Sequence, residues 1–155
     1  MNEEKLNRLP ADVKKQFLKY AIKLSEKKQK SKVHEDFLTF VKHVWPEFIE
    51  GEHHKKIAEK FNEIANKKIK RLIINMPPRH TKSEFASFLL PSWMVGRKPD
   101  LKIIQTTHTT ELAIRFGRKA KNLMDSPEYK QVFSTRLRED SQAAGKWETE
   151  QGGEY

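Results

Sequence analysis

The stretch LIINMPPRHTKSE, from Leu72 to Glu84, constrains the fold more than any other part of the chain. Three apolar residues lead into Pro77-Pro78, and Lys82-Ser83 then opens a segment with helical periodicity. A strand, a tight loop and a helix whose first turn carries Lys-Ser form the arrangement that holds the phosphates of a nucleotide. The stretch therefore predicts a strand–loop–helix unit with an anion site in the loop.

Helices are predicted on both sides of this unit. Apolar residues recur every three or four positions over 10–30, 34–45, 52–66, 83–95 and 111–124. Pro91 should kink or end the fourth of these helices, because proline lacks an N–H group and crowds the preceding turn. Thr109 or Thr110 is expected to cap the fifth, and Ser126-Pro127 predicts a further short helix.

Strands are predicted at 71–75 and 101–107, where short apolar runs lie between turn residues. Beyond Phe133 the pattern weakens, and Gly152-Gly153 predicts a hairpin turn within 147–155. Strands that alternate with helices indicate βαβ units and a parallel sheet, although two strands make an incomplete one. We therefore expect an α/β chain.

Composition narrows the class of protein. The chain has no cysteine, which excludes disulfides and thiolate metal sites, and none of its apolar runs is long enough to span a bilayer. We expect a cytoplasmic protein without membrane contact. The formal net charge of +10 favours a polyanionic partner such as nucleic acid, although lysine-rich helices can also serve solubility.

The loop matches the phosphate-binding pattern G-x-x-x-x-G-K-[ST], known as Walker A, only in part. Residues 76–83 read MPPRHTKS, which aligns Lys82 with the lysine that reaches the outer phosphates and Ser83 with the hydroxyl that binds Mg²⁺. Met76 and Thr81 replace the two glycines. If the loop needs a left-handed residue at Thr81, its β-branched side chain costs about 1–2 kcal/mol. Alternatively, the loop takes another path and carries no strain.

The segment NMPPRHTKSE resembles the N-[MV]-P-P-R-x-G-K-S motif of phage terminase large subunits, the ATPases that drive viral DNA into procapsids. The likeness covers roughly Phe37 to Tyr155, including LKIIQTTHTTELAIRFGRKAKNLMDSPEY and KWETEQGGEY. It implies a partial RecA-like P-loop NTPase sheet over 51–155, preceded by a helical N-terminal region over 1–50. It also implies ATP and Mg²⁺ as cofactors and double-stranded DNA as the substrate. The complete protein would form an oligomeric ring with portal and small terminase partners in the host cytoplasm.

The resemblance further implies roles for individual residues. Lys82 would contact the β- and γ-phosphates of ATP, and Ser83 would hold Mg²⁺. The backbone of Arg79, His80 and Thr81 would surround the phosphates. Arg79 would also sense or stabilise the charge on the γ-phosphate.

Two adjacent histidines, His53 and His54, precede the loop by more than twenty residues. One interpretation places one of them near the adenine ring. The other interpretation is a histidine that packs against a helix or caps it, which the sequence favours.

The chain departs from the family pattern in its acidic residues. The family has a second motif in which an apolar strand ends in two acids, whereas Glu139-Asp140 follows Leu137-Arg138 without such a strand. The family's nuclease domain is also missing, so the chain resembles the amino-terminal piece of a longer protein. Because phosphoryl transfer depends on positioning and charge neutralisation, we expect little or no ATP hydrolysis by this chain alone.

Two other interpretations stay open. Another P-loop nucleic-acid motor, such as a helicase or recombination ATPase, would share the loop, and the gene beyond Tyr155 would distinguish it. A non-catalytic basic nucleic-acid-binding module would use Lys82 as one phosphate contact among many. Mg²⁺-dependent ATP binding that is lost in Lys82→Ala would exclude this module.

Overall fold

The computed structural model describes residues 10–155, and the first nine residues of the predicted helical region lie outside the described part. Helices dominate, and their bounds are α1 (Ala11–Glu35), α2 (Phe37–Val44), α3 (Glu52–Ala65), α4 (Lys82–Glu84), α5 (Leu90–Arg97), α6 (Thr110–Asp125) and α7 (Pro127–Val132). A π-helical turn, Phe85–Leu89, joins α4 to α5. Two strands follow, β1 (Leu137–Ala143) and β2 (Lys146–Thr149).

The predicted helices are confirmed, with some ends displaced. α1 continues through the lysine-rich residues 27–32 and ends where Asp36 adopts an extended backbone. Asp36 then caps α2, because its side chain accepts a hydrogen bond from the backbone N–H of Thr39 at 2.8 Å. Thr109 caps α6 and Ser126 caps α7 in the same way, as their sequence positions predict.

Pro91 does not end the fourth predicted helix and is instead the second residue of α5. The helix runs without a break from 82 to 97, and the turn before Pro91 is widened into the π form. There the N–H of Leu90 donates to the carbonyl of Phe85, five residues earlier. This wider turn accommodates the proline, which has no N–H to donate and crowds the preceding carbonyl.

The predicted strands at 71–75 and 101–107 are not formed as such. In residues 10–155 no ladder partner is found for 71–75, and only Lys102 of the second segment makes a bridge, to Glu154. The reason is physical, since an extended segment becomes a strand only beside another one. Exposure still alternates along both segments, with Ile73 85% and Ile104 92% exposed. The RecA-like sheet stays a prediction.

The C-terminal residues form a small antiparallel sheet. β1 pairs with β2, and the chain then folds back so that Trp147 and Tyr155 exchange backbone hydrogen bonds of 3.2 and 3.0 Å. This confirms the hairpin predicted for 147–155. β1 was not predicted, and Glu139-Asp140 lies inside it rather than beyond any strand.

The core is a cluster of aromatic side chains between the helices. Phe37 lies at its centre and contacts four rings at centroid distances of 5.1–6.4 Å, those of Phe40, Phe61, Phe85 and Trp93. The buried indole N–H of Trp93 donates to the carbonyl of Val33 at 3.1 Å, so its burial leaves no unpaired donor. Phe85 follows Thr81 by four residues and is fully buried in this cluster.

α1 contrasts with the other long helices, because most of it lies outside the core. Its side chains are exposed over most of 12–32, including the apolar ones of Val13, Phe17 and Tyr20, and the helix is first buried at Val33. Within residues 10–155, no helix is both long and apolar enough to cross a bilayer.

Candidate functional site: the loop before Lys82

The loop over 76–81 leads directly into α4, which begins at Lys82. Thr81 has φ 56° and ψ 7°, which is the left-handed conformation, and Arg79 also has a positive φ of 65°. The first of the two sequence alternatives is therefore confirmed, and the loop does place a β-branched residue where glycine is favoured. The expected strain is about 1–2 kcal/mol for such a residue.

This backbone has features of an anion site. Left-handed residues flank His80, whose own φ is not positive, so the backbone changes hand from residue to residue. Such alternation turns successive N–H groups toward one side, where they can surround an anion. The first N–H groups of the helix that follows also lack intrahelical acceptors, which adds donors at the same end.

The five predicted site residues are contiguous, and their side chains differ in exposure. Lys82 is half-buried and reaches back over the loop, where its Nζ donates to the carbonyl of Met76 at 3.3 Å. Ser83, Arg79 and His80 are exposed. The ammonium group thus lies across the loop, and the Ser83 hydroxyl lies at the helix start.

His54 on α3 contacts the loop at Thr81. It is 6% exposed, its Nδ1 accepts a hydrogen bond from the N–H of Gly51 at 2.9 Å, and its Nε2 lies 2.7 Å from Thr81 Oγ1. Burial lowers the pKa of His54, and the neighbouring His53 lowers it further. His54 therefore caps the start of α3, as the second sequence interpretation predicted.

His53 is half-buried on α3, and its ring lies 3.8 Å from that of His54 and 5.6 Å from that of His80, measured between centroids. It lines a surface cavity of about 300 Å³ together with Ile57, Leu72 and Met76, next to the loop. Between the two histidines, His53 is thus the one that lines this cavity, although its Nε2 is buried and has no hydrogen-bond partner among residues 10–155. A larger cavity of about 400 Å³ lies at the C-terminal sheet, where its lining includes Gln105 and Tyr155.

The acidic residue closest in sequence to Lys82 is already paired. Both oxygens of Glu84 accept hydrogen bonds from Nζ of Lys119 on α6, at 2.7 and 2.8 Å. Asp140 in β1 is likewise engaged, by Arg138 at 2.6 Å, and this contact lowers the pKa of Asp140. In the part of the chain from 10 to 155, no three His, Asp or Glu side chains are grouped to hold a metal ion.

Two contacts of this site were not predicted from the sequence, the His54–Thr81 hydrogen bond and the Glu84–Lys119 ion pair. Each joins residues 27 or 35 positions apart, and no local pattern signals such a pairing.

Comparison of the chain with models of known protein families, with curated proteins and with solved structures found no match.

Proposed function

We propose that residues 76–84 bind the phosphates of ATP and that the chain is the ATP-binding portion of a DNA-packaging motor of the terminase large-subunit type. The observation that carries the proposal is the left-handed Thr81 directly before a helix that begins at Lys82. This conformation supports the proposal, because glycine supplies left-handed backbone most easily in a phosphate-binding loop and threonine supplies it here. The family assignment rests on the resemblance of NMPPRHTKSE to the terminase motif.

In this proposal each loop residue has a distinct role. Lys82 exchanges its contact with the Met76 carbonyl for the β- and γ-phosphates, which are stronger acceptors because they are charged. Arg79 is exposed and adds a cation for the γ-phosphate. The backbone N–H groups of residues 79–81 surround the remaining phosphate oxygens.

Magnesium fits this site only with help from the nucleotide. Ser83 offers one exposed hydroxyl, and Glu84 is already paired with Lys119. Mg²⁺ in nucleotide sites commonly has one or two protein ligands and takes the rest from phosphate and water. Ser83 would therefore orient Mg²⁺-ATP. Within residues 10–155 we assign no carboxylate the role of activating the attacking water, so we propose that this part of the chain binds ATP without hydrolysing it efficiently.

The test is the affinity for a fluorescent ATP analogue, mant-ATP, measured with and without Mg²⁺. We expect Lys82→Ala to weaken binding at least tenfold, which corresponds to about 1.4 kcal/mol. Lys68→Ala, an exposed lysine between α3 and the loop, is the matched control and should change affinity less than twofold. Equal affinities of the wild type and Lys82→Ala would overturn the proposal.

A second candidate function is nucleic-acid binding that needs no nucleotide. The observation that favours it is α1, which carries eight lysines against three acidic residues and is mostly exposed. DNA affinity measured over a range of salt concentrations would report the number of phosphate contacts. A steep salt dependence that is unchanged by ATP and by Lys82→Ala would place the DNA contacts outside the loop and favour this second candidate.

A further inference from the structure

We propose that His54 is a positioning residue that holds Thr81 in its left-handed conformation and so replaces the glycine of the phosphate loop. The inference deepens the proposed function and rests on it. It concerns one hydrogen bond, between His54 on α3 and Thr81 at the start of α4.

The direction of this hydrogen bond follows from its neighbours. The N–H of Gly51 donates to His54 Nδ1, so the neutral ring carries its hydrogen on Nε2. Nε2 then donates to Thr81 Oγ1 at 2.7 Å, and the Thr81 hydroxyl donates to the carbonyl of His80 at 2.7 Å. Each group has one role, and together they fix the Thr81 side chain relative to α3.

The imidazole is itself held in place. It is buried, and its ring lies 4.8 Å from that of Phe48 and 5.1 Å from that of Phe85, measured between centroids. Phe85 is fully buried in the aromatic core. A displacement of His54 would disturb both rings, so Thr81 is tied through His54 to the buried aromatic core.

The energies involved are comparable. The penalty of a β-branched residue in the left-handed region is of the same order as the contribution of one hydrogen bond to stability. The hydrogen bond therefore offsets the strain and maintains the loop conformation. Without it, the left-handed conformation of Thr81 is disfavoured. A glycine at this position would need no such support.

Protonation of His54 would break the arrangement. A charged ring carries hydrogens on both nitrogens, so the N–H of Gly51 would then face a donor. Three titratable groups among residues 10–155 influence the pKa of His54, namely His53 on α3, Glu50 before α3 and His80 in the loop. Glu50 is itself paired with Lys42 and Lys55. The π-helical turn contributes the uncharged ring of Phe85.

The experiment is a double-mutant cycle on mant-ATP affinity with His54→Phe and Thr81→Gly. Phe keeps the aromatic packing and removes the hydrogen bond. We expect His54→Phe to weaken binding about tenfold in the wild-type background and less than twofold in the Thr81→Gly background. His108→Phe, at an exposed position before α6, is the control and should have no effect. Equal losses in both backgrounds would overturn the inference.

Two further measurements test the role of His54 without the double-mutant cycle. Affinity of the wild type should fall as the pH drops through the lowered pKa of His54, and this fall should be smaller in Thr81→Gly. NMR of the nucleotide-free protein should show His54 as the Nε2–H tautomer and a left-handed Thr81 that is lost in His54→Phe. If no variant binds mant-ATP but this NMR result holds, the proposed function fails and the positioning role stands. An unchanged Thr81 backbone in His54→Phe would refute the positioning role.

Discussion

Phe37 and Thr81 represent two regions of this molecule that keep their shape in different ways. Phe37 is fully buried and contacts four aromatic rings, so its position is fixed by many contacts together. Thr81 is half-exposed, adopts an unfavourable backbone conformation and is held by a short chain of hydrogen bonds. A packed core therefore tolerates the loss of a single contact better than a strained loop does, although the side chains of the core contribute far more to stability.

The largest effect is expected from Trp93→Ala. Trp93 is fully buried, contacts Phe37 at a ring distance of 5.5 Å and donates to the Val33 carbonyl. Its truncation should lower the free energy of unfolding by about 3–5 kcal/mol, measured by urea denaturation. Trp45→Ala, at a half-buried position, is the matched control and should cost less than half as much. Similar losses in both variants would remove the distinction between core and periphery.

Asp36→Ala should have the next largest effect. Asp36 accepts hydrogen bonds from the backbone and side chain of Thr39, and from the side chain of Asn62, which in turn accepts from the N–H of Phe37. Loss of a cap that also supports a second residue should cost about 2 kcal/mol. Asp125→Ala, at the exposed end of α6, is the control, and an equal loss there would contradict the role of the network.

The Asp36 network also predicts a dependence of stability on pH. Burial by itself raises the pKa of Asp36, but hydrogen bonds from Thr39 and Asn62 outweigh it and hold the pKa below 3.8. The unfolded state then binds the proton more readily, so this contribution is present above the ordinary pKa and is lost as the pH falls through the lowered one. Urea denaturation at acidic pH should show a smaller loss of stability in Asp36→Ala than in the wild type, because Glu50, Asp140 and Glu154 also have lowered pKa values and contribute in both.

These two regions also differ in how far the sequence predicts them. The helices around Phe37 follow from a period of three to four residues, and the caps at Thr109 and Ser126 follow from residue type. The position of Lys82 at a helix start was predicted in the same way. The hydrogen bond from His54 was not, because it joins residues 27 positions apart. The prediction of a strand at 71–75 was wrong, because a strand forms only beside a second extended segment, and a local sequence pattern does not show whether such a segment is present.

The loop itself is tested by two substitutions of Thr81. Thr81→Ala keeps the strained Cβ and removes the hydroxyl, so the free energy of unfolding should fall by about 1 kcal/mol. Thr81→Gly removes the hydroxyl and the strain together, and the two changes should offset each other to within about 0.5 kcal/mol. Both are measured by urea denaturation at neutral pH. If Thr81→Gly is the less stable of the two variants, the loop carries no strain at this position.

The smallest effect is expected from Lys119→Ala, which removes the ion pair that joins the loop's helix to α6. Both partners are partly exposed, and Nζ of Lys119 lies 2.7 Å from Glu84 and 5.6 Å from the centre of the Phe88 ring. Half-exposed pairs contribute about 0.2–1 kcal/mol, and high salt screens them. The loss should therefore shrink in concentrated salt, whereas the loss in Trp93→Ala should persist. Lys130→Ala breaks a similar pair with Asp125 and is the control for a pair that does not link the loop to α6. A loss in Lys119→Ala that exceeds the loss in Asp36→Ala would mean that this ion pair contributes more stability than the part-buried hydrogen-bond network of Asp36.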